Sequence, residues 1–172
     1  MCGIVGFVNN KENKEKIIKD MSKKIEHRGP DGEGFYIDDN CALAHRRLAI
    51  IDLNTGAQPI YNEDKSKVII YNGEVYNFKE LKEALLKKKH VFKTKTDTEV
   101  ILHGYEQWGE ILPNHLRGMF SFARWDKNKN ELFMARDGFG IKPLYYAKFN
   151  DTFMFASEPK AFLANPDFEK NL

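Results

Sequence analysis

Met1-Cys2-Gly3-Ile4-Val5-Gly6-Phe7-Val8 opens the chain, a thiol on the second residue followed by a short apolar run that reads as a buried strand. Methionine aminopeptidases remove Met1 when residue 2 is small, and Cys2 would then carry a free α-amine. Such an amine has a pKa of about 7.7–8.0, suited to taking up and releasing protons near neutrality. Nucleophile and base would share one residue, with the thiolate as the attacking species. The same cysteine also reads as a small hydrophobe at the head of a core strand. The remainder of the chain decides between the two.

Outward from this stretch, strand patterns predominate. Further strands are expected at about 34–38, 41–45, 48–52, 67–72, 90–93, 119–126, 131–136, 144–148 and 152–156, after the first at 2–8. Lys127 to Asn130 and Asn150-Asp151 mark hairpin turns between the later ones. Ile17, Ile18, Met21 and Ile25 recur at helical spacing between Asn13 and Glu26. A second helix is expected from Asn77, with Glu80 three residues on and Leu81, Leu85 and Leu86 on its apolar stripe. Thr96 or Asp97 could cap a third, which Gly109 ends. Many strands joined by tight turns, with helices in separate blocks, indicate an α+β layered fold of mainly antiparallel sheet.

The 172 residues, 42% of them hydrophobic, suffice for one well-buried domain, so residues 1–172 are read as a single unit. A net charge of +2, with 27 basic and 25 acidic residues well mixed, gives no footprint for nucleic acid or an anionic membrane. Two cysteines make no disulfide framework, and no apolar stretch is long enough for a signal peptide or a membrane span. A cytoplasmic location is expected. Cys41, in an alternating run, reads as a core thiol without chemistry, and no metal site is expected.

Some segments are too polar and too glycine-rich for core. His27-Arg28-Gly29-Pro30-Asp31-Gly32 is an irregular loop with gathered charges. Tyr71-Asn72-Gly73-Glu74 follows the apolar Val68-Ile69-Ile70 and reads either as a hairpin turn or as a functional amide beside a carboxylate. Arg46-Arg47 precedes Leu48-Ala49-Ile50-Ile51, and its cations are either solvated or anion receptors.

In order and spacing these segments resemble the glutaminase domain of glutamine-hydrolysing asparagine synthetases. The resemblance covers Cys2-Gly3-Ile4, His27 to Asp31, Ala44 to Ile50, Gly56-Ala57-Gln58-Pro59 and Tyr71 to Asn77. It continues through Thr96 to Ile101, Leu116 to Phe122, Ala135-Arg136-Asp137, Gly140 to Leu144 and Ala156 to Lys160. It implies an N-terminal-nucleophile hydrolase fold, a four-layer αββα sandwich with two mainly antiparallel sheets.

Carried over by position, the resemblance makes Cys2 the nucleophile on the side-chain amide of L-glutamine, and Asn72 and the Gly73 backbone N–H the oxyanion hole. Arg47 would hold the substrate α-carboxylate and Asp97 its α-ammonium. Glu74 and the backbone of Arg47, Leu48, Ala49, Ile50 and Ile51 would complete the walls, and the His27 to Asp31 loop would close over bound glutamine. His45, Arg136, Asp137 and Glu158 are read as structural. No cofactor is expected in this domain. ATP and magnesium belong to a separate synthetase domain, whose serine-glycine-glycine motif is absent from this sequence. The chain is therefore expected to be an excised domain or a subunit that delivers ammonia to such a synthetase, with a homodimer left open. Ammonia delivery to another acceptor, or silent glutamine binding, are the alternatives.

Overall fold

Strand β1 (Gly3–Val8) carries apolar side chains on both faces and is buried almost throughout, as a strand needs to be when it has a neighbour on each edge and a layer on each side. A computed structural model describes residues 1–9, 12–48 and 56–168 and places β1 at the centre of a five-stranded sheet. Its companions, in spatial order, are β2 (Gly32–Ile37), β3 (Cys41–Arg47), β1, β9 (Thr152–Ala156) and β8 (Tyr145–Phe149). A second sheet is ordered β4 (Ile60–Tyr61), β5 (Lys67–Val75), β6 (Gly118–Asp126) and β7 (Glu131–Arg136). All strand pairs in both sheets are antiparallel.

Side-chain alternation sorts the core into three sheets of contact. Ile4, Cys41 and Leu43 of the first sheet meet Val68, Ile70, Ala123 and Trp125 of the second in a cluster between them. The opposite face of the first sheet, through Val5, Phe7, Ala42 and Ala44, packs on Ile18, Met21 and Ile25 of α1 (Lys14–Lys24) and the turn after it. The opposite face of the second sheet, through Ile69, Tyr71 and Val75, packs on α2 (Phe78–Lys87) and α3 (Asp97–Trp108). Helix, sheet, sheet and helix are thus stacked in four layers, the αββα arrangement that the motif resemblance implies. Each fully buried Ile, Leu or Met in these clusters stabilises the fold by about 1.5–3 kcal/mol relative to exposure.

Differences from the sequence reading have local causes. The expected strand at 90–93 is irregular, because Phe92 turns its ring edge-on to His103 and the Lys93 and Thr94 N–H groups go to the Glu99 carboxylate. Of the expected strand at 48–52, Leu48 is outside any strand and 49–52 lie outside the described residues. Two-residue β4 gave no periodicity to read, and Pro59, which has no N–H, immediately precedes it. Strand β5 is longer than expected and runs straight through Asn72-Gly73, so this Asn-Gly is no turn. Asn77 does precede α2, yet its side chain caps nothing there; its amide instead joins the His115 carbonyl and the Arg117 N–H. Thr96 holds the N-cap position of α3 without a side-chain bond, and Gly109, at φ 59°, ends that helix.

Candidate active site

Cys2 lies just ahead of β1, at the inward-facing parity of Ile4. Its Sγ accepts the Leu48 N–H at 3.4 Å and lies 3.7 Å from the Leu48 carbonyl oxygen, so the segment following β3 lines the thiol. The Cys2 carbonyl accepts a hydrogen bond from Arg28 Nε at 3.0 Å. Glu158 fixes that guanidinium at 3.1 Å and also meets His27 Nε2 at 2.8 Å and Lys160 Nζ at 3.1 Å. Burial alone would raise the Glu158 pKa, but its bonds from His27, Arg28 and Lys160 hold it down at about 2.

The His27 to Asp31 loop is docked on the same spot. A Cβ on Gly29 would overlap the Arg46 and Arg47 backbone, Pro30 bridges to Arg47, and the Asp31 N–H reaches the Arg47 carbonyl at 3.0 Å. Glycine here permits the close approach of two backbones.

The open edge of β5 supplies the facing wall. Phe120 sends its carbonyl to the Asp137 N–H (2.8 Å) and its N–H to Asp137 Oδ2 (3.2 Å), so it points toward β7 rather than toward its β5 partner, Gly73. The Gly73 peptide therefore points away from β6, as do those of Tyr71 and Val75. Strand β4 reaches only as far as Ile69 and cannot cover them. The Tyr71 N–H is taken by Gln58 Oε1 at 2.6 Å and the Val75 N–H by Asp97 Oδ2 at 3.0 Å. Between these two, the Gly73 N–H meets no acceptor among the described residues. A Cβ at this position would overlap the Met119 carbonyl oxygen, which explains glycine without any positive φ.

Asn72 has the inward parity of Val68 and Ile70 and is 2% exposed, and its Nδ2 has no hydrogen-bond partner among the described residues. Leaving a buried amide donor unmade costs about 1–3 kcal/mol, so such a group calls for an explanation. Cys2 precedes Ile4 by two residues and Asn72 follows Ile70 by two, and Ile4 and Ile70 share the inter-sheet cluster. His45, the cross-strand partner of Ile4, is buried at the same inward parity, close to the Tyr71 backbone, and its Nε2 has no hydrogen-bond partner among the described residues. Burial is the main reason its pKa falls to about 4, with Arg47 adding to the fall, so His45 is neutral there.

Asp97, the first residue of α3, accepts the Tyr71 hydroxyl at 2.7 Å. The pKa of that hydroxyl is driven well up by burial first, then by Asp97, Glu74 and Cys2, which gathers these three around one group. Arg47 ends β3 next to Leu48, and Glu74 is exposed on β5. Ala49, Ile50 and Ile51 lie outside the described residues. Cys41 is buried between the sheets, and burial pushes its thiol pKa well up, away from reactivity. Asp137 accepts N–H groups from Phe120, Ile141 and Lys142, which makes it an organiser of the 137–142 loop.

The structural parts of Arg28, Gln58 and Tyr71 escaped the sequence reading, although all three sit in segments that it singled out. A surface hollow of about 1030 Å³ lined by Lys14, Lys16, Ile37 and Asp39 lies at the far end of β1 and gathers no comparable chemistry.

Comparison with known proteins gives the same picture. A family model for the glutamine amidotransferase domain matches residues 1–172. The chain is 47% identical over 171 residues to glutamine-hydrolysing asparagine synthetase 2 of Bacillus subtilis, covering 96% of this chain and 23% of that protein. It is 46% identical over 165 residues to glutamine-hydrolysing asparagine synthetase 3 of Arabidopsis thaliana, covering 94% and 28%. The chain thus spans about a quarter of the length of these relatives. Among solved structures, the glutamine phosphoribosylpyrophosphate amidotransferase of B. subtilis superposes with a TM-score of 0.78 at 24% identity, over 95% of this chain and 43% of that one. That likeness is one of fold, the N-terminal-nucleophile sandwich.

Proposed function

Because the chain belongs to the glutamine amidotransferase domain family, we propose that it hydrolyses L-glutamine to L-glutamate and ammonia through a thioester on Cys2 and supplies the ammonia for an asparagine synthetase-type amidation of aspartate. The observation that carries this reading is a buried Asn72 whose Nδ2, like the neighbouring Gly73 N–H, has no hydrogen-bond partner among the described residues, on the wall facing the Cys2 end of β1.

Removal of Met1 frees the α-amine, which takes the thiol proton. The thiolate attacks the glutamine side-chain carbonyl carbon, and negative charge gathers on its oxygen. Asn72 Nδ2 and the Gly73 N–H, which no acceptor among the described residues occupies, donate to that oxygen, most strongly in the transition state, where its charge is greatest. The amine returns its proton to the departing nitrogen and ammonia leaves. A water molecule, deprotonated by the same amine, then attacks the thioester, and glutamate and the thiol are regenerated. Arg47 holds the α-carboxylate as a fork. Asp97, already carrying the Tyr71 hydroxyl and the Val75 N–H on one oxygen, presents its other oxygen to the α-ammonium. Arg28 and the loop around it close the site against water on the Cys2 side.

No cofactor enters this half-reaction. ATP and magnesium act in the synthetase domain or subunit that receives the ammonia, and the setting is cytoplasmic. Identities of 42–47% to asparagine synthetases favour aspartate as acceptor over the alternatives.

The test is direct. Incubated with glutamine, the chain should release glutamate and ammonia in equal amounts, its intact mass should lack Met1, and Cys2→Ala should abolish release while the fold persists. Turnover surviving in Cys2→Ala, or full activity with Met1 attached, would refute the scheme.

A further inference from the structure

On the helix side of the second sheet, α3 presents Glu99, His103 and Glu106 along one stripe, since residues four and seven apart share a helical face. Two other segments bring side chains to it: His90 follows α2, and Glu63 lies in the turn between β4 and β5. His103 Nδ1 is 3.0 Å from Glu106 Oε2 and 4.0 Å from Glu63 Oε1, and His90 Nδ1 is 3.7 Å from Glu106 Oε2. We propose that this cluster is a four-coordinate divalent-metal site of the zinc type, with His90, His103 and Glu106 as ligands and Glu63 as the fourth.

The spacing suits the ion. Zinc bonds of about 2.0–2.1 Å in a tetrahedron set neighbouring ligand atoms roughly 3.3 Å apart. The ligand atoms of His90, His103 and Glu106 all lie within 4.8 Å of one another, so small rotations close the set. The surroundings are those of a built site. Glu106 Oε1 is occupied by Asn62 Nδ2 at 2.9 Å and Lys67 Nζ at 3.4 Å, which turns Oε2 toward the two imidazoles.

Behind the ring of His103, Nε2 is buried without a hydrogen-bond partner among the described residues and faces Glu99 Oε1 at 3.7 Å. Glu99 is itself held by the Lys93 and Thr94 N–H groups and the Thr94 hydroxyl. A fixed carboxylate behind a ligating imidazole orients the ring and raises its basicity. Bound there, the ion would tie α3, the segment before it and the β4–β5 turn together, at a distance from the thiol chemistry.

Zinc titration of the Cys2→Ala chain, which removes the competing thiol, tests this. One zinc per chain should bind, and zinc at one hundred times its dissociation constant should raise the melting midpoint by about 5–10 °C. Cobalt(II) should give the visible absorption of a tetrahedral site. His90→Ala and Glu106→Gln should each weaken binding at least tenfold, and His90→Ala, at a half-buried position, should leave the metal-free melt close to that of its parent. Absence of stoichiometric binding, or binding undiminished in both variants, would overturn the assignment.

Discussion

The roles proposed for Asn72 and Arg47 are ones that kinetics can separate. An oxyanion donor acts on charge that exists only in the transition state, so Asn72→Ala should lower kcat for glutamate release by 10²–10³-fold, about 2.7–4 kcal/mol, with little change in KM. A carboxylate receptor acts on bound substrate and transition state alike, so Arg47→Ala should raise the KM for glutamine at least tenfold with a smaller effect on kcat. Initial-rate measurements on both variants check the pair, and the opposite split would exchange their roles. Cys2, Asn72, Gly73 and Asp97 could be singled out as candidates because they stand in short motifs of fixed order. The reason for glycine at 73 was not legible, since overlap with Met119 depends on a strand forty-six residues downstream. Nor could the hold of Arg28 on the Cys2 carbonyl be read, as it requires Glu158, which is distant in sequence.

At the level of elements, α3 links the site to the charged cluster on its outer side. His103 has a folded-state pKa of about 9, above the ordinary 6.5, so its stabilising interactions are complete below about pH 6.5 and are lost as pH rises through 9. Glu99 and Glu106 are held near 2 against their burial by bonds to His103 and its neighbours, so their share is lost only as pH falls from about 4.5 toward 2. His90, Glu63 and Lys67 also face the cluster. With a chelator present, the urea midpoint should fall between pH 6.5 and 9, and His103→Gln should flatten that slope. A wild-type slope unaltered by the substitution would remove His103 from the linkage. Helices α1, α2 and α3 were readable from their apolar stripes. The 90–93 segment was misread as a strand because Val91 and Phe92 mimic one, whereas Phe92 is claimed by His103 and no strand lies alongside.

Across the whole molecule, the two sheets are held face to face by one apolar layer, and the candidate site lies where that layer gives way to Cys2 and Asn72. Leu43 is fully buried in it. Leu43→Ala should destabilise by about 2–5 kcal/mol and lower the melting midpoint by roughly 5–15 °C, while kcat of the folded fraction stays near the parent value. A melt unchanged within error would mean that the layer contributes little. The layered class could be read from strand density and helix blocks, but the strand order could not, since β1 pairs with β9 from the other end of the chain.

Strand β4 begins only at Ile60, directly after Pro59, and stops short of the β5 edge at residue 73. Sheet edges left open like this are ordinarily sticky, and proteins hide them. Here Gln58 and Asp97 blunt the rungs on either side and, among the described residues, leave one bare. On the proposed reading the blank rung is a reserved seat for the reacting oxygen, and the short β4 leaves that seat to the substrate. A β4 ladder continued back to residue 56, the position that its register sets opposite Gly73, would cap the amide from within, and on this reading the protein would keep its nucleophile yet lose its turnover.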